Sequence, residues 1–319
     1  MSPVKLDIHD LLRSLESGTF YYAPNPGNAG DGLIAQATLQ LFRRHSLNWV
    51  HLRDPWEAAT LPSGKTVVLG GGGHMCHHWN GFATLASRIQ GRAKRLVILP
   101  HTIEGNDGIL ADFGSNVDFV CREGMSYQHV AARVGAGCRV HLSDDMALHL
   151  DVEAALRRNL AAWLMAKWGF KRSRVGKHLR RLRHEFQYGT VQRWLGQRDG
   201  VSVLNCFRTD KESAGWDMPK DNFDASAFFS SADGRYGEAD AIQSGGALVR
   251  YINQFSIVNT DRLHVGIAGA LLGKRVNLHV NDYFKIKAVY ETSIRQRFPN
   301  VVLIEKPTAE PVSLPDETA

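Results

Sequence analysis

The stretch SIVNTDRLHVGIAGALLGKRVNLHVNDYFKIK, residues 256–287, decides how the chain is read. Its apolar start, residues 255–258, predicts a buried strand. Asn259, Thr260 and Asp261 follow, residue types that cap helix N-termini. Leu263, Ile267, Ala270 and Leu271 then recur at helical spacing, with small Gly266, Ala268 and Gly269 between them. Gly273 predicts the helix end, and residues 276–280 predict the next strand. Arg262 and His264 therefore fall in the first turn of a helix just past a strand, where open α/β sheets bind ligands. Free backbone N–H groups and the helix dipole favour an anion there, and Arg262 adds a fork of donors suited to phosphate or carboxylate. Asp261, itself acidic, is expected to cap the helix or orient a neighbour. Spacing alone leaves a structural and a functional reading of Arg262 and His264 equally open.

The N-terminal half repeats the pattern. Strands are expected at 19–22, 66–69, 95–100, 117–121 and 139–142, with helices between, which argues a parallel sheet covered on both faces. After the first strand, Pro24 to Asn28 must turn. A helix then begins near Asp31, with Leu33, Ile34, Ala37, Leu41 and Phe42 on one face. Asn28 and Asp31 are either caps of that helix or ligand contacts. The second strand ends in Gly70-Gly71-Gly72-Gly73-His74, a run that allows close backbone approach to an anion or sugar and exposes His74 at its lip. It is neither a dinucleotide fingerprint nor a Walker A loop. His74, Cys76, His77 and His78 lie within one short segment that lacks the separated second ligand pair of common zinc sites, so no metal is expected.

Composition bounds the rest. At 319 residues, 44% hydrophobic and 22% charged, the chain is a globular protein long enough for two domains. No apolar run approaches the roughly 20 residues that span a bilayer. The amphipathic N-terminus carries acids and does not read as a secretory signal. Cys76, Cys121, Cys138 and Cys206 show no CxxC spacing, which fits reduced thiols in a cytoplasmic protein. The net charge of +6 suggests an anionic partner: a phosphorylated substrate, a membrane surface or a nucleic acid. Residues 151–200 carry Trp163, Trp168 and Trp194 around Lys171, Arg172, Arg174, Lys177, Arg180, Arg181 and Arg183. This segment is a solvated linker, an interfacial segment on anionic lipid, or a nucleic-acid patch. No nucleic-acid-binding signature accompanies it, and no nucleic acid is expected.

Several of these features together resemble the polysaccharide pyruvyl transferase family. They are Asn28-Ala29-Gly30-Asp31 at a helix start, a strand ending in Pro100, Arg122-Glu123 with Ser126 behind, and Ser143-Asp144-Asp145. To these add a strand followed by Arg208, and Arg262-Leu263-His264 followed by a small-residue helix, a strand and Lys285 or Lys287. His101-Thr102 after Pro100 departs from the family's usual polar residue and Ser. The resemblance implies two Rossmann-like domains in a GT-B-like pair about a central cleft. Residues 1–150 would form the acceptor side and 201–308 the donor side, with 151–200 as a basic helical linker and 309–319 as a disordered tail.

It also implies transfer of pyruvate from phosphoenolpyruvate to two hydroxyls of a sugar, giving a cyclic ketal. The acceptor is expected on a polyprenyl diphosphate at the inner membrane face, with the 163–194 segment docking on anionic lipid. Such a donor needs two or more cations, for which Arg122, Arg208 and Arg262 are available. Proton transfers need imidazoles, for which His74 and His264 are the candidates. Asn28, Asp31, Gly72 and His101 are placed on the acceptor side. No metal or other cofactor is required. The competing readings are a glycosyltransferase of the same fold using a nucleotide sugar and a non-catalytic nucleic-acid-binding protein.

Overall fold

The computed structural model describes residues 4–157, 202–231 and 233–306. Most of the basic linker at 151–200, including the tryptophan-bearing 163–194 segment, and the tail at 309–319 lie outside the described residues.

Two sheets, both parallel throughout, organise the chain. The first contains β1 (Phe20–Ala23), β2 (Trp49–His51), β3 (Thr66–Leu69), β4 (Gly72–Met75), β5 (Arg95–Ile103), β6 (Val117–Cys121) and β7 (Arg139–Leu142). Its order is β2-β1-β3-β5-β6-β7, with β4 also pairing with β5. The order therefore reverses between β1 and β3, the switch point at which doubly wound sheets open a crevice. Its helices are α1 (Ile8–Arg13), α2 (Ala29–Arg44), α3 (Gly81–Gln90), α4 (Asp107–Ala111) and α5 (Gly124–Ala131), and α6 (Val152–Leu156) follows β7.

The second sheet runs β8 (Val203–Cys206), β9 (Ile257–Thr260), β10 (Arg275–His279), β11 (Val301–Ile304), in sequence order. Between β8 and β9 lie α7 (Ala225–Phe228) and α8 (Glu238–Ile252). The helix α9 (Leu263–Leu271) links β9 to β10, and α10 (Lys285–Val289) leads toward β11. The stretch 256–287 is thus a strand–helix–strand unit, as its pattern requires. Gly273 adopts φ +70° two residues past α9, a conformation that glycine takes without strain. The helix starts later than its polar residues suggest. Arg262 is the N-cap, and Thr260 Oγ1 accepts from the Arg262 amide at 3.0 Å.

The two sheets share packing. α2 lies against α8, and one cluster of buried apolar residues runs from Tyr22, Leu33 and Phe42 to Leu248, Val258 and Leu278. The helices approach closely because both present glycine. A Cβ on Gly245 would lie 3.1 Å from Leu33 Cα and 3.3 Å from the Gly32 carbonyl. A second cluster, with Leu69, Phe82, Ile98 and Phe119, fills the other side of the first sheet.

Two expectations change. The glycine run is not an open turn. The chain passes through Gly70 and Gly71 and resumes as β4, because a Cβ at Gly70 would sit 2.7 Å from Asn25 N and one at Gly71 2.6 Å from the Pro100 carbonyl. Residues 216–235, whose polar and turn-rich composition predicts a long loop, contain α7, which buries Ala225 and Ser226.

Candidate functional site

The first wall of the site is built at the switch point. Beyond β1, Asn28 caps α2: its Oδ1 accepts from the Gly30 amide at 2.8 Å, and Asp31 Oδ2 accepts from the Asn28 amide at 3.0 Å. Asn25 Nδ2 donates to Asp31 Oδ1 at 2.8 Å. Both readings of Asn28 and Asp31 therefore begin from a cap, one with an addition. Asn28 Oδ1 also accepts from Ser226 Oγ at 2.8 Å, tying α2 to α7. Gly27, at φ +146°, lets the Asp31 carboxylate pack directly against its backbone. Its Cβ would lie 2.2 Å from Asp31 Oδ2 and 3.3 Å from His74 Nε2, so the carboxylate and the imidazole border one spot.

His74 stands on β4 with its ring stacked on Trp79, centroids 5.6 Å apart. Burial draws its pKa below 6.5, only partly offset by the negative charges of Asp31 and Glu212, so the ring is neutral at pH 7. Its amide donates to His101 Nε2 at 3.1 Å. His101 is wholly buried and stacks on Phe82, and burial with the nearby Arg122 charge holds it well below the ordinary histidine range. A buried ring whose Nε2 is already occupied cannot meet an acceptor sugar, so His101 holds β4 in place instead. Gly72 also departs from its expected acceptor role. It is buried, at φ +149°, where a Cβ would lie 2.4 Å from Asn25 Nδ2.

Arg122 follows the carboxyl end of β6 and is 1% exposed. Its Nε donates to Thr102 Oγ1 at 2.8 Å and its Nη1 to Asp145 Oδ2 at 2.7 Å. Asp145 is fully buried, and its Oδ2 lies 3.5 Å from His264 Nε2. Burial alone would raise the Asp145 carboxyl, but His264 and Arg122 hold it well below the usual range. Arg122, Asp145 and His264 thus form a relay joining the two sheets. The other edge of the His264 ring fits only because residue 30 is glycine, whose Cβ would lie 2.6 Å from Nδ1.

The third nitrogen of Arg122, Nη2, faces Gly73. A Cβ there would sit 3.3 Å from Nη2 and 3.9 Å from Lys285 Cδ, so the space over Gly73 is flanked by the Arg122 guanidinium and the aliphatic stem of Lys285, one from each sheet's connections. Lys285, at the start of α10, is paired with Glu212. Glu212 accepts from Arg208 Nη1 at 2.5 Å and from Trp79 Nε1 at 2.8 Å. Burial would raise the Glu212 carboxyl, but Lys285 and Arg208 keep it well below the carboxylate range.

Arg208 and Arg262 are occupied differently. Arg208 Nε contacts Asp210 at 2.8 Å, and Arg262 Nη1 contacts the same carboxylate at 2.8 Å. Arg262 is also paired with Asp224. Both guanidiniums are buried among acids, and their visible task is to hold the loop after β8 against α9. Asp261 serves that loop too. It accepts from the Arg208 amide at 2.7 Å, and burial raises its pKa to about 6. It orients a neighbour rather than capping the helix.

The structure therefore gathers His74, Asp31, Asn28, Arg122 and His264, and places Arg208 and Arg262 behind them. The sequence reading left Asp145, Glu212, Trp79 and Lys285 without a role. One signal was available for Lys285, since the motif offered Lys285 or Lys287. The structure separates them: Lys285 is buried in this network, whereas Lys287 is exposed and pairs with Glu305 at 3.0 Å.

Comparison with known proteins adds two findings. The family model described as polysaccharide pyruvyl transferase matches residues 28–278, most of the chain. A crystal structure of a functionally uncharacterized protein from Klebsiella pneumoniae is similar at a TM-score of 0.67 and 27% identity, covering 93% of this chain and 96% of that one. Among curated proteins none matches the sequence.

Proposed function

The chain belongs to the polysaccharide pyruvyl transferase family, and from that premise we propose that it transfers pyruvate from phosphoenolpyruvate to two hydroxyls of a sugar in an exopolysaccharide precursor, closing a cyclic ketal. Two Rossmann-like units in a GT-B-like pair, at 1–150 and 201–308, would face each other across the substrate cleft. The observation that carries the reading is the space over Gly73, bordered by Arg122 Nη2 and Lys285. A small donor with a phosphate and a carboxylate needs cations on two sides. In this reading Arg208 supports Lys285 through Glu212, and Arg262, paired with Asp210 and Asp224, shapes the loop beside it.

The proton steps follow from placement. C2 of phosphoenolpyruvate becomes electrophilic when its methylene gains a proton. A sugar hydroxyl then adds to C2 as its own proton leaves, phosphate departs, and the second hydroxyl closes the ring as its proton passes to the leaving phosphate. His74, neutral at pH 7 and beside Asp31, is suited to take the hydroxyl proton. His264, whose Nε2 lies 3.5 Å from the Asp145 carboxylate, is the group assigned to deliver one. Asn28 and Asp31 line the acceptor side. The scheme draws on no metal or nucleotide.

A polyprenyl-diphosphate-linked acceptor and docking on an anionic membrane through 163–194, in the cytoplasm, complete the proposal. Among the described residues no helix is long and apolar enough to cross a membrane. A ligand screen tests the assignment. Phosphoenolpyruvate should raise the thermal midpoint and nucleotide sugars should not. Stabilisation by a nucleotide sugar alone would turn the assignment to glycosyl transfer.

A further inference from the structure

The turn after β4 and the turn after β10 meet at the rim of the site. Residues 76–79 close on themselves through backbone hydrogen bonds between Cys76 and Trp79 at 2.9 and 3.0 Å. In an extended strand His77 and His78 would point to opposite faces. In this turn their rings come together, with centroids 3.8 Å apart. Asp282, 204 residues further along the chain, brings its carboxylate to 2.8 Å from His78 Nε2. One ligand atom from each of His77, His78 and Asp282 lies within 4.8 Å of the others. Behind them, the Glu104 carboxylate contacts His77 Nδ1. That contact fixes the ring's tautomer and leaves Nε2 free, the arrangement that supports ligand histidines in metal sites.

We propose that His77, His78 and Asp282 bind one divalent transition-metal cation of the zinc type, with Glu104 orienting His77. Two imidazoles and one carboxylate suit zinc, nickel or copper rather than magnesium or calcium, which prefer all-oxygen shells. Bonds of about 2.0–2.2 Å in a tetrahedron need ligand atoms roughly 3.3 Å apart. His78 and Asp282 are already closer than that, and a small shift of the exposed His77 side chain, with its Glu104 contact kept, would complete the set. The second ligand group that the 74–78 segment lacks as a sequence is thus supplied from a distant part of the fold. The bound ion would pin a connection of the first sheet to one of the second. Trp79 next to it stacks on His74 and donates to Glu212, so the ion would brace one wall of the site. This inference stands apart from the pyruvyl-transfer chemistry.

The test is calorimetric titration of the full, tag-free chain with zinc chloride after stripping with a chelator. Wild type should take up one equivalent. His78→Ala and Asp282→Asn should each weaken that binding by more than about tenfold, and Glu104→Gln by about tenfold. His141→Ala, which alters a histidine paired with Asp118 on another strand, should bind as wild type. Circular dichroism confirms that each variant is folded, and the cluster's exposed position favours this. Absence of zinc uptake by the wild type at micromolar concentration would overturn the proposal. So would unchanged affinity in both His78→Ala and Asp282→Asn.

Discussion

Asp145 shows how much depends on one side chain. It is fully buried, pairs with Arg122 at 2.7 Å, and stands 3.5 Å from His264. Asp145→Asn would leave a buried guanidinium without its counter-charge, which costs about 3–5 kcal/mol when one partner of such a pair is removed. Urea unfolding should show that loss. His74→Ala, by contrast, should leave stability nearly intact and reduce ketal formation by roughly 10²–10⁴-fold. Because burial lowers the His74 pKa and the base must be neutral, kcat/KM should be level near pH 7–8 and fall only below pH 6.5. An acidic limb centred above pH 7 would remove His74 from that role.

Where the candidate residues sit was only partly legible in the sequence. Arg122 and His264 could be placed because each follows a strand end. The assignment of Arg262 and Arg208 to the donor came from the same rule. The rule is silent about Asp210, two residues past Arg208, and Asp224, both of which reach Arg262 from elsewhere in the chain. Ion pairs between distant residues leave no periodic trace.

At the scale of elements the glycines are the informative positions. β4 passes Arg122 with Gly73 facing it, and nothing but Arg122 Nη2 and Lys285 Cδ lies within 4 Å of the missing Cβ. Gly73→Ala should therefore fold with an almost unchanged thermal midpoint, yet raise the KM for phosphoenolpyruvate by covering Nη2. A variant with wild-type KM would show that the donor lies elsewhere. Gly245 is the opposite case. Its Cβ would lie 2.5 Å from Gln36 Oε1 and 3.1 Å from Leu33 Cα, so Gly245→Val should push α8 off α2 and destabilise by about 1–3 kcal/mol or more.

Elements with strong periodicity were legible: β3, β6 and β7 fall where their apolar runs end, and α9 where its small-residue pattern lies. β4 was not, because four successive glycines carry no alternation. What fixes it is pairing with β5 and the close approach of Pro100 and Asn25.

For the whole molecule, the buried ionisable groups set a pH response. Burial lowers the pKa values of His51, His74, His101, His149 and His279. The unfolded chain binds these protons near pH 6.5 while the fold refuses them, so stability falls as pH drops through 6.5, by up to about 1.4 kcal/mol per pH unit for each group. Asp261 acts in the other sense. Its pKa of about 6 exceeds the unfolded value, so its contribution grows as pH falls from 6 toward 4. Below about pH 4.5 the depressed Asp145, Glu212 and Asp118 carboxylates add further losses. Denaturant midpoints should therefore decline between pH 7.5 and 5.5, the five histidines outweighing Asp261 and Glu123, whose carboxyl pKa burial also raises. A flat or rising profile would contradict the burial assigned to those rings.

In the proposed reaction a donor bearing a phosphate and a carboxylate sits between Arg122 and Lys285, which come from connections of different sheets. Calorimetric titration with phosphoenolpyruvate, comparing wild type with Lys285→Gln, tests it most directly. Wild type should bind with measurable affinity, and the variant should lose about tenfold or more, the scale of one charge-assisted contact. Equal affinity in the two proteins, both folded, would contradict it.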